Sequence, residues 1–425
     1  FTFLIFTFME KELKIAIVGA GVSGLIAAKV LESQGYSPTV YEASDRVGGR
    51  VKTDVVKGYQ LDHGFQVLLD AYPMAAKYLD YSKLELGKFL PGATLFKNGK
   101  QITIGDPLRN ISLLLPTLAS GIGTWVDKWK IFMLNKELKK KSIDSIFSEE
   151  ETTTLHYLKS KGFSDTIIKD FFTPFFSGIF LEPDLTTSSR MFQFVYKMFG
   201  TGNAVLPKAG IEAIPKQLAA GLTKTTFVYN SPVTSYSNGS LVFSDGKEET
   251  VDYAIIATEA SRLVPNLRNQ ETKWKTCDTL YFTTKKKNIQ KTLIGLITDS
   301  EALINNIFYH SALPMEHSGA ENLLSVTVVK THQLNETELV KKVQEELDSL
   351  CGITDTTFLK RYRIQQALPD LSNVQYDIAP TETRLTANTF LAGDQLLNGS
   401  LNAAMVSGER AANAILHDIN DSIVS

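Results

Sequence analysis

The 425-residue sequence holds only two cysteines, Cys277 and Cys351, and neither stands in a CxxC or Cys/His spacing. That excludes a disulfide framework and a structural zinc site, and two reduced thiols fit an intracellular, cytoplasmic protein. An excess of one charge is also missing, since 44 basic side chains against 46 acidic ones leave a formal −2. Nothing supplies the field that a phosphate backbone needs, so nucleic acid is not an expected partner. His156, His310, His317, His332 and His417 show no HExxH or paired-ligand spacing, and no metal site is expected. GxSxG and Walker A sequences are lacking, which removes the usual hydrolase and nucleoside-triphosphatase readings. Long apolar runs are missing too. Phe1 to Met9 is apolar, but a membrane span needs ~20 such residues. It also lacks the basic leader and small-residue cleavage site of a signal peptide. Because Met9 directly precedes the first good strand, residues 1–8 are expected to be a non-native or disordered extension.

What is present is 43% hydrophobic and 21% charged, enough apolar material for the cores of two or three domains. Leu13 to Val18 (LKIAIV) reads as a buried strand and runs into Gly19-Ala20-Gly21-Val22-Ser23-Gly24, a GxGxxG turn. A helical pattern follows from Val22 to about Gln34, with Leu25, Ala28 and Leu31 on one face and Gly35 as a stop. A second strand, Ser37 to Tyr41, delivers Glu42 and Ala43. In this order the first glycine permits a tight turn and the second lets backbone approach a pyrophosphate. The third allows close helix–strand packing, while the helix N-terminus aims free N–H groups at the phosphates. Glu42 stands where a carboxylate accepts hydrogen bonds from both ribose hydroxyls. Strand, glycine turn, helix, strand and acid together specify a dinucleotide site.

Downstream, Asp45-Arg46-Val47-Gly48-Gly49-Arg50 sets a glycine pair between two arginines, and a guanidinium neutralises a phosphate bidentately. This YEASDRVGGR stretch resembles the FAD fingerprint of the superfamily of flavin amine oxidases, phytoene-type desaturases and protoporphyrinogen oxidase. Arg46, Gly49 and Arg50 are the residues it adds to the site. The resemblance extends to Thr226–Val233 (TFVYNSPV), where it implies that the Val233 backbone meets the adenine, and to Tyr253–Thr258 (YAIIAT), which brings Thr258. At the C-terminus it covers Gly393-Asp394 and the helix opening at Leu401 and Ala404. There it implies that Asp394 holds the ribityl or pyrophosphate region and that the helix N-terminus faces the flavin. The implied fold is α/β, a Rossmann-like FAD-binding domain with a parallel sheet, interleaved with an α+β substrate-binding domain. The FAD domain would comprise 9–80, 203–265 and 385–420, and the substrate domain 81–202 and 266–384.

Departures from the family pattern bear on the substrate. Asn402 and Ala403 stand where the family shows Glu then Gly, and Leu397 and Ser400 where amine oxidases place an aromatic pair. No flavin-side lysine is recognisable, Lys273 and Lys275 being unanchored by any motif. A single GxGxxG unit leaves no second site for NAD(P)H. The expected protein is therefore an FAD-dependent oxidoreductase that moves a hydride from a substrate C–H bond onto flavin N5. Its substrate is expected to be a small apolar organic molecule that it dehydrogenates or desaturates, with O2 or a quinone as acceptor. A flavin-containing amine oxidase and a flavin-binding protein without turnover are the alternatives. Phe171 to Leu181 (FFTPFFSGIFL) is read as core, with lining of an apolar substrate tunnel as the alternative. Leu113 to Trp129, followed by Lys136 to Lys141, is read as a packed helix with a solvated end in preference to a surface resting on anionic lipid. His63, within LDHGF, is expected to hydrogen-bond backbone only, in preference to accepting a proton.

Overall fold

The structure, a computed structural model, describes residues 13–424; the proposed extension at 1–8 lies outside them. Short β-branched runs build a six-stranded α/β sheet in the order Thr226–Val228, Thr39–Tyr41, Ile15–Val18, Tyr253–Ile256, Thr389–Leu391, Arg384–Thr386. Its first five strands are parallel and the last is antiparallel. Side chains alternate between its faces, because successive Cβ atoms of a strand point to opposite sides. Ile15 and Ile17 pack against the helix Val22–Ser33 and the long closing helix Leu401–Val424. Ala16 and Val18 join Tyr236, Leu241 and Phe243 of a three-stranded antiparallel layer on the other face. That layer turns at Asn238-Gly239, both with positive φ, the conformation a two-residue hairpin requires.

A second sheet has seven strands in the order Thr356–Pro369, Trp274–Thr284, Asn322–Val328, Ile304–Tyr309, Ile294–Ile297, Gly92–Lys97, Lys100–Gly105. It is antiparallel except where Ile294–Ile297 runs parallel to Gly92–Lys97. The helix Glu336–Cys351 begins with a reciprocal cap between Asn335 and Glu338 and ends on Gly352 at φ 65°. It buries Leu339, Val343, Leu347 and Cys351 against this sheet. Much of 111–201 is helical, and the segment expected as core divides by face. Phe172, Phe176 and Phe180, four residues apart, are fully buried. Phe171, Phe175 and Ile179, one position earlier, line a cavity that also touches both sheets. Core and lining are therefore adjacent faces of one helical stretch, about 100° apart.

Candidate functional site

The strand Ile15–Val18 ends in Gly19 at φ 105°, a region that L side chains rarely adopt. The helix starting at Val22 then has no side-chain cap and no acid in its first turn. Its leading N–H groups remain available to an anion. A Cβ on Gly21 would meet nothing within 4 Å, whereas one on Gly24 would sit 2.1 Å from the Gly19 carbonyl oxygen. Gly21 is thus open to a ligand, and Gly24 welds the helix to the strand. A second glycine turn lies against the first: Gly48 N–H donates to the Ala20 carbonyl at 2.9 Å, and a Cβ on Gly49 would be 3.2 Å from Gly21 Cα.

Glu42 is nearly buried and acts as a staple. Its carboxylate accepts from Ala20 N–H at 2.8 Å, Ser44 N–H at 2.9 Å and Ser44 Oγ at 2.7 Å. Ser231 N–H bonds the Glu42 carbonyl at 2.9 Å, which brings the 231–233 segment alongside. Arg50 is ion-paired with the buried Asp394 and lies 4.9 Å above the Trp274 ring. The closing helix is capped by Ser400, whose Oγ accepts from Ala403 N–H at 3.0 Å.

These groups line one cavity of about 1310 Å³, larger than the ~300–1,000 Å³ of an ordinary small-molecule pocket. Gly19, Gly21, Val22, Ser23, Glu42, Ala43, Gly49, Arg50, Val233, Thr258, Gly393, Asp394, Leu401 and Ala404 all border it. Two residues assigned from the sequence do not. Gly24 is packed as described, and Arg46 turns away into ion pairs with Asp54 at 2.6 Å and Glu212 at 2.8 Å. A carboxylate pair in fixed register holds that guanidinium, so it is not available to a phosphate. An uncapped helix start, an open glycine, a second glycine turn and one cavity-facing guanidinium fit the diphosphate of a dinucleotide.

The model of the family described as "Flavin containing amine oxidoreductase" matches residues 22–416. The chain belongs to that family. Protoporphyrinogen oxidase 2 of Arabidopsis thaliana is 27% identical over 247 residues, 55% of this chain and 45% of that protein. A 4,4'-diapophytoene desaturase of Staphylococcus aureus is 31% identical over 116 residues, 26% of this chain and 23% of that protein. The chain thus spans less than half the length of these two relatives. A putative protoporphyrinogen oxidase from Exiguobacterium sp. 255-15 has the same fold, with a TM-score of 0.70 at 18% identity, covering 96% of this chain and 99% of that one. The cofactor of this flavin-containing family member is FAD.

Several features of the flavoprotein's site were not foreseen. His63 borders the cavity and bonds a carboxylate, not only backbone: Nε2 lies 2.8 Å from Asp54 Oδ2. Burial alone would raise the Asp54 carboxyl, but hydrogen bonds from Arg46, His63 and Tyr362 outweigh it and hold it at about 2. An ionised carboxylate only accepts, so the nitrogen facing it, Nε2, carries a proton. Trp274, Glu259 and Gln366 also border the cavity, with Gln366 Nε2 donating to Glu259 at 3.2 Å. No motif announces them, because strands distant in sequence bring them together. Lys275 is held by Thr187 Oγ1 at 3.1 Å and does not line the cavity.

Beside the cavity-lining Phe65, the ring of His310 is buried among Phe308 and Tyr281. Burial pushes it down to about 4. Asp62 is buried as well, and burial raises it to about 6 against hydrogen bonds from Thr53 and the Ile211 N–H. The two act oppositely on stability. His310 resists a proton that the unfolded chain accepts near 6.5, so its contribution is lost as pH falls from there towards 4. Asp62 takes its proton earlier in the native state, so folding gains as pH falls from 6 towards 3.8. Each effect is about 3 kcal/mol when complete. We expect His310→Gln to unmask the Asp62 limb, so that this variant gains about 2 kcal/mol between pH 6.5 and 4.5 while the parent stays nearly flat. Urea midpoints at fixed FAD concentration measure it, and parallel pH profiles would refute it.

Proposed function

We propose that the protein is an FAD-dependent oxidoreductase that dehydrogenates or desaturates a small apolar organic substrate, with O2 or a quinone as electron acceptor. In this reading 9–80, 203–265 and 385–420 form the cofactor domain, and 81–202 and 266–384 the substrate domain. When bound, the flavin supplies a hydride acceptor for a substrate C–H bond. The chain supplies position, a dry wall and a place for a proton. The glycine turns, Glu42 and the Arg50–Asp394 pair hold the dinucleotide. Phe65, Phe89, Phe171, Phe175, Ile179 and Phe199 offer an apolar wall to the substrate. His63 borders the cavity with its ring oriented by Asp54, and in this reading it is the group that handles a proton there.

The observation that carries the apolar reading is that wall of aromatic and aliphatic side chains, beside which the carboxylates bordering the cavity already hold protein donors. Glu42 and Asp394 are bound as above. Glu259 accepts from Arg262 at 2.8 Å and Thr272 N–H at 3.1 Å, and Asp106 from Leu108 N–H at 2.9 Å. Asp394 and Glu259 are thus neutralised by arginines, while Glu42 and Asp106 hold uncharged donors at the cofactor turn and the cavity mouth, so no acid stands in the phenylalanine wall to receive an ammonium. Leu397 is buried away from the cavity, and Ser400 is committed to its cap, so no aromatic pair stands ready for an amine.

We expect purified protein to be yellow with FAD and its flavin to bleach anaerobically with polyene, porphyrinogen or other apolar hydrogen donors. Admitting air or a quinone should restore the colour. Bleaching by amines alone would favour the amine oxidase reading. A flavin that photoreduces but is bleached by no donor class would favour a protein without turnover, and colourless protein would defeat the cofactor assignment.

A further inference from the structure

Among the described residues, eleven large hydrophobic side chains are exposed, and nine of them fall between Leu108 and Met133. Soluble proteins rarely concentrate exposed apolar surface in this way without a partner. The arrangement is ordered. On the helix Trp125–Lys140, the exposed Trp125, Val126, Trp129, Phe132 and Met133 recur at i, i+1, i+4, i+7 and i+8, one face of the helix. Leu134 and Leu138, on the opposite face, are buried. The helix therefore presents an apolar stripe outward, the reverse of an ordinary surface helix. Leu108, Ile111, Leu115 and Leu118 add a second exposed row just before it.

Charge continues the same face. Lys136 and Lys140 follow Trp129 at i+7 and i+11, and Lys139 follows Phe132 at i+7, all three exposed. Their local acids are engaged: Asp127 is buried in the helix cap and Glu137 is paired with Lys161 at 2.8 Å. The patch is also the cavity's opening, since Leu108, Leu118, Trp125 and Phe132 are both exposed and cavity-lining. Among the described residues no helix is long and apolar enough to cross a membrane.

We propose that this face docks on an anionic lipid bilayer, with the apolar rows in the acyl boundary and Lys136, Lys139 and Lys140 among the headgroups. Two tryptophans beside a lysine stripe suit that interface, where one end of a side chain is apolar and the other wet. A protein partner or a second copy seated here would close the cavity, whereas a bilayer leaves it open to molecules dissolved in lipid. That an apolar substrate enters by this route rests on the proposed function; the docking itself does not.

Vesicle flotation of the FAD-loaded full chain, without substrate, tests the docking. Protein is expected to float with 70:30 phosphatidylcholine:phosphatidylserine vesicles. The double variant Leu115→Ser/Trp129→Ser, at exposed positions outside the cavity lining, should lose on the order of tenfold or more in partition. Lys136→Glu/Lys139→Glu/Lys140→Glu should lose at least about fivefold per lysine on the anionic vesicles and little on pure phosphatidylcholine. Unchanged flavin spectra confirm that the variants fold. Wild-type protein that stays at the bottom of the gradient, or variants that float equally well, would overturn the proposal. So would a wild-type dimer that the double variant splits while neither binds vesicles. Failure to bleach with apolar donors would sink the proposed function and leave this result untouched.

Discussion

Gly408→Ala lowers the unfolding free energy by ~3 kcal/mol or more and empties the cofactor site. Helix propensity alone forecasts the opposite sign, because alanine in a helix interior is favoured over glycine by ~1 kcal/mol. The contact decides. Gly408 lies in Leu401–Val424, and its added Cβ would stand 2.2 Å from the Ser23 carbonyl oxygen. Both backbones belong to buried helices, so neither can give way cheaply. Moving the closing helix also moves Leu401 and Ala404, which border the cavity. Gly21→Ala is the contrasting case. Its Cβ meets no protein atom within 4 Å, so the apoprotein should unfold as the parent does while FAD affinity falls. Urea titration of both variants, with and without FAD, separates a packing glycine from a cofactor glycine. Equal apoprotein stability of Gly408→Ala and the parent would show that the two helices are not locked as described.

Glu42→Ala is expected to weaken FAD by about ten- to a hundredfold, from the loss of charged hydrogen bonds of ~1.5–3 kcal/mol to the ribose. It should also destabilise the apoprotein by about 2 kcal/mol, because the Ala20 N–H is left buried without an acceptor and Ser44 loses two bonds. Glu42→Gln keeps one carbonyl oxygen and should fall between the two. Fluorescence-quench titration with FAD reads the first effect, and apoprotein denaturation reads the second. An intact FAD affinity would remove the ribose assignment, and an intact apoprotein would remove the staple. The two roles are compatible, since an ionised carboxylate offers about four acceptor directions and the protein uses three.

The local pieces of this protein are legible in its residues alone. The glycine turn, its flanking strands, the Asn238-Gly239 hairpin and the Asn335–Glu338 cap are set by bonds spanning a few residues, and so is the turn between the strands Gly92–Lys97 and Lys100–Gly105, where Asn98 and Gly99 both take positive φ; residue type and spacing suffice to read them. Family membership was legible for the same reason: its fingerprint is a run of backbone requirements. Where the longer side chains went depended on packing between elements far apart in the chain. Arg46 could have faced a phosphate, but Asp54 and Glu212 stand on other elements and capture it. His63 acquired a carboxylate partner from the neighbouring strand of a hairpin. The apolar row of Trp125–Lys140 has a periodicity identical to that of a buried helix, and spacing does not say which face meets the core. Gly408 looks like a weak point in a helix until the Ser23 carbonyl is seen behind it. Periodicity is a property of one segment, whereas burial, pairing and close approach belong to two, and the second partner has no fixed distance along the chain.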